Sequence, residues 1–131
     1  MRVLIVDDEK PARDRLSQIL ADEADYEVVG EAGNGQEALD QAASLQPDVV
    51  LLDIRMPGME GIEAAHHRNA LQRPPAIVFT TAYDEYAIDA FEARAIGYVL
   101  KPVRRSRLTA ALEQAARLAA STLGEVAAEA Q

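Results

Sequence analysis

A doubly wound α/β fold, five parallel strands in the order 2-1-3-4-5 with helices on both faces, is what this sequence predicts. Two observations predict it. Five short apolar runs alternate with five amphipathic stretches over residues 1–120, the pattern of successive right-handed βαβ units. The runs are also apolar at nearly every position instead of every second one, as befits strands covered on both faces.

In chain order, the first run is Val3–Val6, and the first helical stretch places Ala12, Leu16, Ile19 and Leu20 on one face. The second run, Glu27–Gly30, precedes Asn34 and Glu37, spaced as in a capping box, and a helix whose apolar face is Ala38, Ala42 and Leu45. The third run, Val49–Leu52, is followed by a helical stretch holding His66 and His67. Adjacent helical residues point about 100° apart, so these two histidines cannot share one ion and read as surface residues. The fourth run, Ala76–Thr80, is followed by a helix that Asp84 is expected to open. The fifth, Tyr98–Leu100, leads to a last helix with Ser106 at its start and Leu108, Leu112, Ala115 and Ala119 on its buried face. The alanine-rich tail fades past Gly124 and reads as a helix end or linker. The expected division is a domain over residues 1–120, with 121–131 a helix end or an interdomain linker.

Composition narrows the function. The 131 residues are 49% apolar, enough for a full core, and contain no cysteine. That excludes a disulfide framework, a thiolate metal site and a cysteine nucleophile. The formal net charge of −9 disfavours nucleic-acid binding by this domain itself, since the densest basic stretch is only Arg104, Arg105 and Arg107. No apolar run is long enough to span a membrane, and the amino terminus is too short in apolar residues for a signal peptide. A cytoplasmic protein without membrane contacts is expected.

In a doubly wound sheet, ligands bind beyond the carboxyl ends of the strands. Here the first run ends in Asp7, Asp8 and Glu9, the third in Asp53, the fourth in Thr80 and Thr81, and the fifth in Lys101 and Pro102. In the order 2-1-3-4-5 these ends converge, so clustered carboxylates meet a hydroxyl and an ammonium. Such carboxylates repel unless a cation lies among them or some are protonated. An all-oxygen donor set suits a hard ion, Mg2+ above all.

These segments carry a resemblance. Val3–Glu9 (VLIVDDE), Asp48–Gly61 (DVVLLDIRMPGMEG), Thr80–Ala82 (TTA) and Gly97–Pro102 (GYVLKP) together resemble the receiver domain of two-component response regulators, across roughly residues 1–120. Thr81–Ala87 (TAYDEYA), with Ala90 and Phe91, further resembles the alginate-regulator-like receivers that carry LytTR-type DNA-binding output domains. The resemblance implies a flavodoxin-like (βα)5 fold and a phosphoacceptor role for Asp53. It implies Mg2+ held by Asp7, Asp8, Asp53 and the Arg55 main-chain carbonyl. Thr81 and Lys101 would contact the phosphoryl group. Thr81 and Tyr98 would form the switch, Tyr98 swinging inward once phosphorylation draws in the Thr81 hydroxyl. Pro57 and Gly58 would shape the loop after Asp53, and Pro102 the last loop, with a cis Lys101–Pro102 bond. The implied partners are a sensor histidine kinase and, through the face of the fourth helix, fifth strand and fifth helix, a second copy of the chain. No turnover enzyme is implied beyond the domain's own phosphoryl transfer and dephosphorylation.

Two other readings are weaker. Gly33–Ala38 fits the dinucleotide pattern G-x-G-x-x-A, but the acids after the first run would repel a pyrophosphate, and a tight turn with a helix cap accounts for the glycines. A haloacid-dehalogenase-type phosphatase also uses a strand-end aspartate and Mg2+. It wants a second aspartate two residues on, where this chain has Arg55, and turnover of p-nitrophenyl phosphate would favour it.

Overall fold

The computed structural model describes residues 1–130, with side chains through residue 118. Its elements run β1 (Arg2–Val6), α1 (Lys10–Ala21), β2 (Glu27–Ala32), α2 (Gly35–Leu45), β3 (Val49–Leu52), α3 (Gly61–His67), a 3-10 turn (Arg68–Ala70), β4 (Ala76–Thr81), α4 (Ala87–Glu92), β5 (Gly97–Leu100) and α5 (Arg105–Ala130). All strand pairs are parallel, in the order β2-β1-β3-β4-β5, as the sequence predicts. No helix among the described residues is long and apolar enough to cross a membrane.

Each strand divides its residues between two cores, because successive side chains point to opposite faces. Leu4, Val6, Val50, Leu52, Ile77 and Phe79 meet Ala38 and Ala42 of α2, Ala64 and Ala65 of α3, and Ala90 of α4. Val3, Ile5, Val49, Leu51, Val78 and Val99 meet Leu16, Ile19 and Leu20 of α1, and Leu108, Leu112 and Ala115 of α5. The first face is lined by alanines, which let three helices sit close to the sheet; the second is filled by leucines from two. Both-face coverage is what the unbroken apolar runs require.

Helix starts agree in part. The Asn34 side chain caps α2 by accepting from the Glu37 N–H at 2.9 Å, and its Nδ2 donates to Glu37 Oε2 at 2.8 Å. Asp84 does not cap α4, which begins at Ala87 after Tyr86, with no side-chain cap. The intervening segment is held instead by edge-on packing of Tyr83 on Tyr86. Asp84 and Glu85, which the sequence places in the fourth helix together with Asp89 and Glu92, therefore lie in the loop, and only Asp89 and Glu92 belong to α4. Ser106 does not precede α5 but sits in its first turn, with the Arg104 carbonyl accepting from Arg107 and Leu108. At that first turn the Arg105 guanidinium reaches Asp22 at 2.9 Å and Glu23 at 3.1 Å and ties the start of α5 to the end of α1. The α5 backbone is helical through the alanine-rich tail. Its side chains from Ala119 onward, and Gln131, lie outside the described residues.

Candidate functional site

The sheet register brings the expected strand ends together. The Asp53 N–H donates to the Val6 carbonyl at 2.9 Å, and the Lys101 N–H to the Thr81 carbonyl at 2.8 Å. The ladders thus extend one residue past β3 and β5, and hold Asp53 and Lys101 at the carboxyl edge beside Asp7 and Thr81. Asp7 is fully buried, Asp53 is 5% exposed and Thr81 is fully buried, while Asp8 is exposed.

One carboxylate oxygen from each of Asp7, Asp8 and Asp53 lies within 4.8 Å of the others. Lys101 Nζ donates to Asp7 Oδ2 at 2.7 Å and stands 3.5 Å from Asp53 Oδ2. The remaining oxygens of the two buried acids are fixed by main chain: Asp7 Oδ1 accepts from the Glu9 N–H at 2.9 Å and Asp53 Oδ1 from the Ile54 N–H at 2.8 Å. Burial, and then the Asp7 charge, push the Asp53 carboxyl above the ordinary aspartate value, against the opposing pull of Lys101 and the Ile54 N–H. Burial by itself would lower the Lys101 ammonium, but its bonds and charge interactions with Asp7 and Asp53 outweigh that and raise it. The lysine is therefore held as a cation between two carboxylates, and the acid cluster carries more negative charge than Lys101 balances. Three convergent oxygens, no nitrogen or sulfur donor and an excess of negative charge fit a small hard dication.

The loops are shaped by backbone constraints. The Lys101–Pro102 bond is cis, as expected, and Gly58, after Pro57, has φ +77°, a left-handed conformation that favours glycine. Gly61 packs against the main chain of Asp53 itself: a Cβ there would collide with the Asp53 carbonyl and lie 2.9 Å from Ile54 Cα.

Thr81 and Tyr98 are linked through one residue. The Tyr83 N–H donates to Thr81 Oγ1 at 3.3 Å, and the Tyr83 carbonyl accepts from the Tyr98 hydroxyl. Tyr98 is half-buried and packs beside Phe79, with ring centroids 6.4 Å apart. The Arg55 side chain reaches the segment before α4. Its Nη1 donates to the Tyr86 hydroxyl at 2.9 Å, its Nε lies 3.3 Å from Glu60, and its guanidinium stands 5.7 Å from the Tyr83 ring centre. The sequence reading missed Tyr86 and Glu60, which complete this clasp, and Arg13, whose Nη1 donates to the Asp7 carbonyl at 2.7 Å. Tyr86 lies within the segment that carried the finer resemblance. Nothing in the sequence signals Arg13, since an arginine on an amphipathic helix reads as solvated.

Comparison with known proteins gives the same picture. The family model for the response regulator receiver domain matches residues 3–113. The positive alginate biosynthesis regulatory protein of Pseudomonas aeruginosa is 49% identical over 118 residues, covering 89% of this chain and 48% of the relative. The sensory transduction protein LytT of Bacillus cereus is 42% identical over 114 residues, covering 87% and 46%. The chain thus spans about half the length of the curated relatives it matches. Among solved structures, the response regulatory domain of protein mrkE from Klebsiella pneumoniae superposes with a TM-score of 0.81 at 34% identity, covering 90% of this chain and 97% of that one. The response regulator domain of Thermotoga maritima CheB gives 0.72 at 33% identity, covering 92% of each. Matched in sequence along most of its length and in fold by solved members, this chain belongs to the response regulator receiver domain family.

Proposed function

We propose that this receiver takes a phosphoryl group on Asp53 from a phosphohistidine of a sensor histidine kinase, with Mg2+ bound by Asp7, Asp8, Asp53 and the Arg55 main-chain carbonyl. The observation that carries the reading is the convergence of the three carboxylates within 4.8 Å, with Lys101 against two of them. An ionised Asp53 oxygen attacks phosphorus while the phosphorus–nitrogen bond breaks; the electron pair returns to the imidazole, which takes up a proton. The nucleophile needs no general base. Catalysis is therefore alignment and charge neutralisation, by Lys101 and by the Thr81 hydroxyl as a donor to the transferred group. Bound Mg2+ would supply further neutralisation of the phosphoryl oxygens. The test is mass spectrometry of the chain after acetyl phosphate and Mg2+, mapping the added phosphate; an adduct on a histidine or on another aspartate removes the assignment.

The readout follows from the Tyr83 link. A phosphoryl group that draws the Thr81 hydroxyl pulls on the residue whose carbonyl holds Tyr98, which biases two packings of α4, β5 and α5. Relatives of about twice this length support the further reading that residues 121–131 lead to an output domain. By the resemblance that domain is of LytTR type, binds DNA and controls transcription, in the cytoplasm.

A homodimer through α4, β5 and α5 is part of the same proposal. Ile88 and Phe91 are 75% and 83% exposed, and Leu100 is 47% exposed. Asp89 and Glu92 on α4, and Arg104 and Arg107 at α5, are exposed beside them. Arg105, expected to join this basic set, is instead engaged with α1. Exposed ion pairs add under roughly 1 kcal/mol each, so the apolar residues must supply most of the affinity. Sedimentation of the beryllofluoride-treated chain is expected to show a dimer that is lost in Arg104→Glu/Arg107→Glu; a monomer at tens of micromolar, or a dimer indifferent to both charges, contradicts it.

The clasp predicts slow decay of the signal. Arg55 and Tyr83 flank the path a hydrolytic water must take to the phosphoryl group, and Tyr86 and Glu60 hold Arg55 there. Arg55→Asn/Tyr83→Ala is expected to shorten the phosphoryl lifetime about tenfold, a barrier change near 1.4 kcal/mol. An unchanged lifetime, measured as loss of the adduct after removal of the donor, counts against the clasp.

A further inference from the structure

Arg13 lies in the first turns of α1 with its side chain only 20% exposed. Its Nη1 donates to the Asp7 carbonyl at 2.7 Å, and its Nε donates to Glu31 Oε1 of β2 at 3.2 Å. The Asp7 N–H donates to the Ala32 carbonyl at 3.0 Å. Both ends of the Asp7 main chain are therefore fixed to β2, directly on one side and through the guanidinium on the other. Glu9 and Lys101 fix the side chain of Asp7. The exposed Asp8 follows immediately, so the direction of its carboxylate depends on how firmly the preceding peptide is held.

We propose that Arg13, oriented by Glu31, is a positioning residue for the Mg2+ site. Its bond to the Asp7 carbonyl sets the turn that points Asp7 and Asp8 at Asp53. The inference rests on the reading of the site given above.

Charge and geometry make opposite demands here, which makes the idea decidable by sign. A cation beside an acid cluster relieves repulsion among the carboxylates and opposes a bound dication. Were Arg13 only a charge, removing it would tighten Mg2+ binding. If Arg13 sets the turn, removing it weakens binding, since residues that orient metal ligands typically contribute about 10- to 100-fold in affinity. Glu31 both aims the guanidinium and offsets its charge, which favours the second role.

The experiment is calorimetric titration of MgCl2 into the unphosphorylated 131-residue chain, with metal-free melting recorded alongside. Arg13→Met keeps the apolar stem and removes the fork. It is expected to weaken Mg2+ binding about tenfold or more. Arg13→Lys is expected to recover part of the loss, and Glu31→Gln to show a smaller weakening. Equal or tighter binding by Arg13→Met overturns the proposal, as does a lower melting temperature with unchanged affinity, which is the mark of a strut only. Should Arg13→Met fail to fold, Arg13→Lys decides alone, because it keeps the charge and removes the fork: weaker Mg2+ binding than wild type supports the proposal, and equal or tighter binding overturns it. A wild-type chain that binds no Mg2+ removes the metal reading together with this inference; a wild type that binds, with variants that match it, removes the inference only.

Discussion

Asp53→Ala should leave no phosphoryl adduct after acetyl phosphate and Mg2+, because the other two carboxylates of the cluster cannot substitute for it. Asp7 is fully buried, with one oxygen on the Glu9 N–H and the other on Lys101. Asp8 is exposed beside it and, in the function proposed above, would hold the metal. Asp8→Ala should slow the reaction and weaken Mg2+ binding, whereas Lys101→Ala should leave metal binding largely intact. The same cluster predicts an effect on stability. The folded state raises the Asp53 carboxyl, by burial first and the Asp7 charge second. A carboxyl raised on folding binds its proton more tightly in the folded chain. Its contribution to stability is therefore lost as pH climbs from the ordinary carboxylate range through the raised value. At neutral pH and without metal, the Asp53 charge opposes folding. Asp53→Asn should then melt several degrees higher than the wild type in metal-free buffer. Saturating Mg2+ should reverse the order: at about a hundredfold excess over Kd a bound ligand adds about 2.7 kcal/mol, and the variant should gain much less. An Asp53→Asn chain that melts below the wild type without metal contradicts this account of the electrostatics.

Gly61→Ala is the second large effect. The atoms a Cβ would meet are the carbonyl of Asp53 and Ile54 Cα, all main chain, and the Gly61 N–H is already committed to the Ile54 carbonyl at 2.8 Å. No side chain can rotate away, so the loop after Asp53 has to move or α3 has to start elsewhere. A cost on the order of 3 kcal/mol is expected, a fall in melting temperature of about 10 °C for a chain of this size. The surviving folded protein should also take up phosphate more slowly, since the Asp53 main chain is what moves. Gly58→Ala is the control: its φ is +77° but nothing lies within 4 Å of the added carbon, so only the left-handed backbone cost of about 1 kcal/mol applies. Urea denaturation of the two variants separates them, and equal midpoints would show that the close approach at Gly61 is not what the residue is for.

Much of this was legible in the chain. Runs such as Val49–Leu52 are apolar at every position because both faces of the sheet are covered, and that pattern gives the strands and their parallel packing. The order 2-1-3-4-5 then brings Asp7, Asp53, Thr81 and Lys101 to one edge, because parallel strands all present their carboxyl ends on the same side. Local hydrogen bonding was equally readable at Asn34, where cap and helix lie three residues apart.

The readings that failed concern contacts between residues far apart in sequence. Asp84 looks like a helix cap, yet α4 begins at Ala87 with no side-chain cap, and Tyr86 just before it is held by Arg55, 31 residues away. Arg105 reads as one of a run of exposed arginines, yet Asp22 and Glu23 hold it, 83 and 82 residues away. Arg13 carries no sequence signal, because its partners, a main-chain carbonyl and a glutamate on β2, have no pattern of their own. Periodicity records which face a side chain takes, so sequence alone determined the sheet, its two cores and the residues that end its strands. Which long polar side chain reaches which acceptor depends on how helices settle against that sheet, over distances that hydrophobic pattern does not encode, and only the tertiary structure decided it.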